Sequence, residues 1–222
     1  MWPVYRHYKG KHYLGVVSAL HSETDEPLQV YRALYDNTMS QTWARPLSMF
    51  HDSDRQGTSR FTLVGHVRRA FDTDMEELLS FGYDAWGEGR SLQEFVASYH
   101  IDPKLRRGEW YILELPDGSL CAKLKVLRFR RGLLGIASLS TRPSMRGGGY
   151  ASLITRAVME ACRLEDADAR FILFSEARTA LFERLGFYVL PEEQQHFKPA
   201  IAMATHGIAL DEAVKLHVRE YF

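Results

Sequence analysis

The stretch from Leu133 to Ala161, LLGIASLSTRPSMRGGGYASLITRAVMEA, constrains the fold more than any other part of the chain. Leu133 to Thr141 is rich in apolar and small residues and has the length of a buried strand. Pro143 cannot donate to a ladder, so the strand ends just before it. Gly147, Gly148 and Gly149 let the backbone take positive φ and approach a ligand closely. From Tyr150 the apolar positions Leu153, Ile154, Ala157, Val158 and Ala161 recur at helical spacing. A glycine turn opening a helix leaves unpaired N–H groups aligned with the helix dipole, which favours phosphate. Arg146 adds a positive charge at the turn. By themselves these residues are equally compatible with a tight strand-to-helix turn that holds no ligand. No Gly-Lys-Ser/Thr follows, so this is not a nucleoside-triphosphate loop. Gly147 and Gly149 also lack the third glycine of a dinucleotide fingerprint.

Around this anchor the chain changes texture twice. Residues 1–52 are aromatic-rich and partly alternating, with Gly10 and Gly15 as punctuation, which suits short antiparallel strands. Pro27–Tyr35 and Thr42–Phe50 read as two further extended pieces. A unit of about fifty residues is marginal alone and is expected to pack on its neighbour. Residues 53–60 are polar and aperiodic and read as a linker. A new strand begins at Phe61. Thr73-x-x-Glu76 and Ser91-x-x-Glu94 are two capping boxes, predicting helices over Asp74–Trp86 and Leu92–Tyr99. Glu109–Leu115 and Ser119–Phe129 form a hairpin around Pro116-Asp117-Gly118. After the anchor come a strand at Ala169–Phe174, a helix ending at Gly186, and strands at Phe187–Leu190 and Phe197–Ala204. Periodicity alone predicts a mixed α/β sheet.

Two motifs then carry a resemblance. Pro143–Ala151 resembles the acyl-CoA pyrophosphate loop of the GNAT family of N-acetyltransferases, Arg/Gln-x-x-Gly-x-Gly/Ala, through Arg146, Gly149 and Ala151. Ala180–Phe187 (ALFERLGF) resembles the family's last core helix and following strand. The resemblance covers about residues 61–205. It implies an α/β (α+β) fold, a mixed and mostly antiparallel sheet flanked by helices, here preceded by a small all-β N-terminal domain. The division expected is 1–52 for the small domain, 53–60 for the linker and 61–222 for the acyltransferase domain. Residues 1–52 in turn resemble a small domain family of unknown function. The matching features are Tyr5–Gly10, His21–Thr24, Glu26-Pro27, Val30–Tyr35 and Arg45–Phe50.

What the resemblance implies about chemistry is uneven. It implies acetyl-CoA, or another acyl-CoA, as the cofactor. Backbone amides of Arg146, Gly147, Gly148, Gly149, Tyr150 and Ala151 would hold the pyrophosphate, and Leu139 and Thr141 would lie along the pantetheine arm. Ser175 and Phe182 complete the expected cofactor contacts. Phe182 stands where the family commonly has a tyrosine that protonates the leaving thiolate. Ser175 stands where an asparagine is common. The anchor strand carries no carboxylate, which leaves Glu176 and Ser175 as the catalytic candidates. Glu176 reads more readily as a first-turn helix carboxylate stabilised by the dipole. His100 and Asp102 border the family's substrate region but suit exposed turn positions.

Composition narrows the partners. Twenty-eight basic residues balance twenty-eight acidic ones, so nothing marks the whole chain as a polyanion binder. The two cysteines, Cys121 and Cys162, suit buried thiols of a cytosolic protein. No apolar run is long enough to span a bilayer, and the expected location is cytoplasmic. His7, His12, His21 and Glu23 lack metal-site spacing and no metal is expected. Tyr5, Tyr8, Tyr13 and Trp43 beside Arg6, Lys9, Lys11 and Arg45 could clamp a base, although core aromatics with solvated charges explain them better. The first reading is an acyl-CoA-dependent N-acyltransferase acting on a small-molecule, peptide or nucleoside amine. The alternative is a catalytically degenerate acyl-CoA sensor or scaffold whose N-terminal module binds a nucleotide, nucleic acid or protein.

Overall fold

The computed structural model describes residues 1–129, 132–176, 179–195, 199–206 and 208. The N-terminal region forms four antiparallel strands, β1 (Trp2–His7), β2 (His12–Leu20), β3 (Pro27–Ala33) and β4 (Thr42–Pro46). The piece expected to stay extended to Phe50 instead turns at Pro46 into one helical turn, α1 (Leu47–Phe50). That turn drops Phe50 into an aromatic cluster, stacked on Phe61 with ring centroids 4.2 Å apart. Residues 53–60 are a hydrogen-bonded turn: Asp54 N–H donates to the Thr58 carbonyl, and the Asp54 carboxylate accepts from the Gln56 and Thr58 amides.

β5 (Phe61–Arg69) leads to a helical region that differs from expectation. The Thr73–Glu76 capping box does not form. Buried Arg68 draws the Asp74 carboxylate, which also accepts from the Phe71 amide, so a 3₁₀ turn at Asp72–Asp74 precedes α2 (Met75–Ser80). The single helix expected over Asp74–Trp86 breaks at Gly82, over which the Trp86 ring folds, and resumes as α3 (Tyr83–Trp86). The Ser91–Glu94 box forms as read and opens α4 (Leu92–Ile101), with the short α5 (Pro103–Arg106) behind it.

β6 (Glu109–Glu114) and β7 (Leu120–Arg128) are the hairpin; β8 (Leu133–Thr141) has the bounds expected of the anchor strand, and α6 (Tyr150–Glu165) starts where expected and runs one turn past Ala161. β9 (Arg170–Ser175), α7 (Thr179–Glu183), β10 (Tyr188–Val189) and β11 (Ile201–Ala204) follow. Phe197, read as the start of the last strand, and residues 209–222, assigned to the C-terminal unit, lie outside the described residues.

Among the described residues these strands form one sheet of eleven, in the order β10-β11-β9-β8-β7-β6-β5-β1-β2-β3-β4. It is antiparallel except between β8 and β9. The N-terminal strands continue the sheet through the β1–β5 pairing, in which Trp2 faces Val67 and His7 faces Phe61. Helix α6 covers one face. Its Ile154, Val158 and Met159 share a core with Leu124 and Val126 of β7, with Val4 and Leu14 of the N-terminal strands, and with Leu34 just after β3. Helices α2 and α4 cover the other face, where Met75, Leu78 and Phe81 pack on Trp110 and Ile112. With both faces covered, β7 is buried along almost its whole length.

Candidate functional site: a split sheet beside a glycine-built helix start

β8 and β9 pair over three residues only, Leu133 to Gly135 against Arg170 to Ile172. Beyond that point no strand lies on the β9 side of β8 among the described residues, so the peptide groups from Ile136 to Thr141 form an open edge inside the sheet. Burial changes at the same place: Leu133–Ile136 are buried, whereas residues 137–140 are half-buried. The pairing with β7 is also disturbed there. Lys123 faces Ser140 and Lys125 faces Ala137, so Ser138 and Leu139 both stand opposite Leu124, a bulge with Ser138 at φ 51°. Neither the slot nor the bulge was legible in the sequence, because LLGIASLST carries no glycine or proline at the irregular position.

The mouth of this slot is the glycine turn. Gly147 and Gly149 have φ of 85° and 80°, and Gly149 is the residue from which α6 starts. A Cβ added at either glycine would meet nothing within 4 Å, so the space outside them is open. The first-turn amides of α6 face that space without helical partners. The Tyr150 ring lies against Gly148, and Ala151 gives its carbonyl to the Thr155 hydroxyl at 2.8 Å. An open, amide-lined concavity at a helix start fits a diphosphate.

Arg146 does more than contribute charge. Its guanidinium is held by Asp84 of α3, at 2.5 and 2.9 Å, and by the carbonyls of Phe81 (3.2 Å) and Thr141 (3.3 Å). The pair with Asp84 holds that carboxyl below its ordinary range. Thr141 is buried at the end of β8, and Leu139 packs against the main core. On the other side of the slot, Ser175 ends β9 and is buried, while Glu176 follows it and is exposed. Phe182 is buried against Phe187, ring centroids 6.0 Å apart, and is a core residue of α7. His100 sits exposed on α4 and Asp102 at that helix's C-terminal end.

Sequence reasoning missed two lysines. Lys123 and Lys125 of β7 are buried, 1% and 5% exposed, on the face covered by α2 and α4. A strand reading LCAKLKVLR suggests a solvated polar face; only the covering helices reverse that.

The N-terminal candidates are placed differently from the stacking site weighed above. Tyr5, Tyr13 and Trp43 pack against Tyr31, Phe50 and Phe61, and Tyr13 shares a hydroxyl contact of 2.8 Å with Tyr35. Of the four aromatics only Tyr8 is largely exposed. His7 and His21 accept hydrogen bonds from the amides of Lys9 and Glu23. Among the described residues no group of three His, Cys, Asp or Glu is disposed to hold a metal, and no helix is long and apolar enough to cross a membrane. A cleft of about 440 Å³ lies where the N-terminal strands meet α6, lined by Tyr35, Asp36, Arg156 and Glu160 among others, and shares no residue with the glycine turn.

Comparison with known proteins bears on the fold. Residues 3–63 match the family model described as protein of unknown function, DUF1653. A DUF1653 protein from Bordetella bronchiseptica is 38% identical over 31% of this chain and 91% of its own, with a TM-score of 0.28. A Lactobacillus plantarum protein described as an N-acetyltransferase superposes with a TM-score of 0.51 at 15% identity, covering 64% of this chain and 97% of that one. N-acetylglutamate synthase from Neisseria gonorrhoeae, solved with coenzyme A and N-acetyl-glutamate, is 18% identical over 63% of this chain, with a TM-score of 0.48. The match spans about a third of that enzyme's length, 34%. No curated protein matches the chain by sequence. The chain thus carries a DUF1653 module at residues 3–63, joined to a region with the fold of the GNAT N-acetyltransferases.

Proposed function

We propose that the chain is an acyl-CoA-dependent N-acyltransferase with acetyl-CoA as donor and an amine of a small molecule, peptide or nucleoside as acceptor. The observation that carries the reading is the separation of β8 from β9 after three residue pairs, directly beside the glycine-built start of α6. The donor supplies an activated acyl carbon on a thioester. The chain supplies the rest. Amides of Gly147 to Ala151 bind the diphosphate, and the open edge of β8 from Ala137 to Thr141 pairs with the amide-bearing arm as an added strand would. The bulge at Ser138 and Leu139 takes peptide groups out of the ladder, and these would bind the thioester oxygen as charge develops on it. Arg146 acts by tying the turn to α3. Positioning of this kind accounts for a large part of the barrier to acyl transfer.

Calorimetry with acetyl-CoA tests the binding half of the proposal. The native chain is expected to bind, and a Gly149→Trp variant, whose side chain fills the concavity, is expected not to; equal binding by both sinks the reading. Release of CoA thiol with a panel of amines, peptides and nucleosides tests the chemistry. The placement of Phe182 in the core, with no hydroxyl to offer a leaving thiolate, favours a second reading as a non-catalytic acyl-CoA sensor. Release above the hydrolysis blank with any amine removes that second reading.

The module at residues 3–63 extends the sheet on the side away from the slot. β5, β6 and β7 lie between β1 and β8, a separation of about 19 Å at ordinary strand spacing. Its role in this proposal is to cover α6 and complete the core, rather than to contact the acceptor.

A further inference from the structure

Lys123 and Lys125 differ in what holds them. Lys125 Nζ donates to the Leu105 carbonyl at 2.5 Å, and nearby Asp102 favours its charged form. Lys123 has ring faces instead: its Nζ lies 4.5 Å from the centroid of Trp110 and 5.8 Å from that of Trp86. Among the described residues no carboxylate pairs with it. Among the described residues, the other ionisable groups named on this face have partners or face solvent. On β5 and β6, Arg68 binds Asp74 and Glu114; after β8, Arg142 binds Glu77 of α2 and the Leu120 carbonyl. On α3, Asp84 holds Arg146; on α4, the Tyr99 hydroxyl accepts from Trp110 Nε1 and His100 is exposed. A buried ammonium without a counter-ion is costly. Burial, with the Lys125 charge adding to it, pushes Lys123 down to about 7.

Its place in the sheet gives this amine a use. The register partner of Lys123 is Ser140, beside the bulge at Ser138 and Leu139, and the Ser140 hydroxyl oxygen is buried without a hydrogen-bond partner among the described residues. Lys123 is therefore one strand from the slot, at the level where β8 is irregular. Helix α6 packs on the opposite face of the sheet, and α2 and α4 pack on the face that Lys123 and Ser140 share, so an acceptor would enter between those helices and the open edge of β8. An amine acceptor arrives as an ammonium and must lose a proton before it can attack. Neither β8 nor its neighbours offer a buried carboxylate for that purpose.

Resting on the acyltransferase reading, we propose that Lys123, as a neutral amine, is the group that takes the proton from the acceptor's ammonium. The proton passes from the acceptor nitrogen to Nζ, and the freed lone pair adds to the thioester carbon, forming the C–N bond. The C–S bond then breaks, and the departing thiolate takes the surplus proton of the attacking nitrogen to give free thiol. Lys123 returns its proton to solvent, so that acyl-CoA and an ammonium give an amide, CoA thiol and one proton. Lysine suits this role because its basicity yields to burial.

The test compares two nucleophiles with the full chain at saturating acetyl-CoA, from about pH 6 to about pH 9. One is the best alkylamine of the panel above, which arrives protonated; the other is hydroxylamine, which arrives neutral. Native kcat with the alkylamine is expected to fall on the acid side through a value near 7. Lys123→Met is expected to lower that kcat by about 100-fold or more and to erase the inflection, while changing the hydroxylamine rate less than about threefold. Lys123→Arg, which keeps the cation but cannot lose its proton at these pH values, is expected to behave like Lys123→Met. Equal losses with both nucleophiles, or a native rate and pH profile in Lys123→Met, overturn the inference. Calorimetry on the same variants separates the two levels: acetyl-CoA binding is unchanged if only proton transfer is affected. A native chain that transfers to no amine overturns the acyltransferase reading, and this inference with it.

Discussion

Arg146 and Asp84 lie 62 residues apart in the chain and meet through two hydrogen bonds, of 2.5 and 2.9 Å. The contact links the turn before α6 to α3, the helix whose Trp86 lies over Lys123. It also means that the guanidinium is already neutralised. Removing its partner should therefore expose a charge next to the diphosphate site. Asp84→Ala is expected to tighten acetyl-CoA binding severalfold at low salt and to make it more salt-dependent. Arg146→Ala, which frees the turn from both the Phe81 and Thr141 carbonyls, is expected to weaken it by about tenfold. Calorimetry at two ionic strengths measures both; weaker binding by Asp84→Ala at low salt would show that the strap matters more than the charge.

The αL backbone of Gly149 gives a separable prediction. Gly149→Val places a β-branched residue at φ 80° and is expected to cost about 1–3 kcal/mol in urea unfolding. Because the space beside it is open, the fold survives, and acetyl-CoA binding is lost while near-ultraviolet circular dichroism is retained.

Arg68 governs acid stability. It is 9% exposed and holds Asp74 at 2.8 Å and Glu114 at 2.5 Å. Its hydrogen bonds hold the Asp74 carboxyl below the ordinary value of 3.8. A carboxyl lowered in the folded state adds stability that is fully present above its unfolded value and lost as pH falls through its folded one. Arg68→Met should destabilise the chain by about 1–3 kcal/mol at neutral pH, since it leaves two half-buried carboxylates without their cation. It should also flatten the acid limb of the unfolding profile below about pH 4. A limb as steep as the native one would exclude this pair as its source.

Lys123 should show the opposite sign. Its folded value, about 7, lies below the ordinary 10.5, so between these two values the unfolded chain binds more protons and stability rises with pH. The cost of the buried ammonium is complete below the lower value and gone above the upper one. Lys123→Met should therefore raise stability by roughly 1–4 kcal/mol in mildly acidic solution, with the gain shrinking as pH rises. Stability gained where turnover is lost is the usual mark of a side chain kept for its chemistry. A gain independent of pH would assign it to packing.

Sheet continuity predicts how the chain responds to shortening. Removing residues 1–52 uncovers the β1-facing edge of β5 and strips Val4, Leu14 and Leu34 from the core under α6. The shortened chain should elute as soluble aggregate or fail to fold, since an uncovered edge pairs with its like. A monodisperse, acetyl-CoA-binding product in size-exclusion chromatography would show the two parts to be independent.

Local chemistry made the end of β8 and the start of α6 readable to the residue, because Pro143 and three glycines fix where a strand stops and a helix starts. The Ser91–Glu94 box was readable for the same reason. The Thr73–Glu76 box was not, since its competitor is Arg68, a partner set by the sheet rather than by spacing. Lys123 was not singled out for a related reason: alternation shows which residues share a face, and only α2 and α4 show that this face is dry. The Arg146–Asp84 contact joins a turn to a short helix with which it has no periodic relation. The slot depends on where β9 stops following β8, which no single strand encodes.

β5 is shared property. The DUF1653 match runs to residue 63, inside the strand on which the acetyltransferase-like sheet begins. No single peptide bond from 52 to 69 can be severed without taking a strand's hydrogen-bonding neighbour from one half or the other. A mutation that unseats β1 is therefore felt across a common ladder, and the two halves should melt as one.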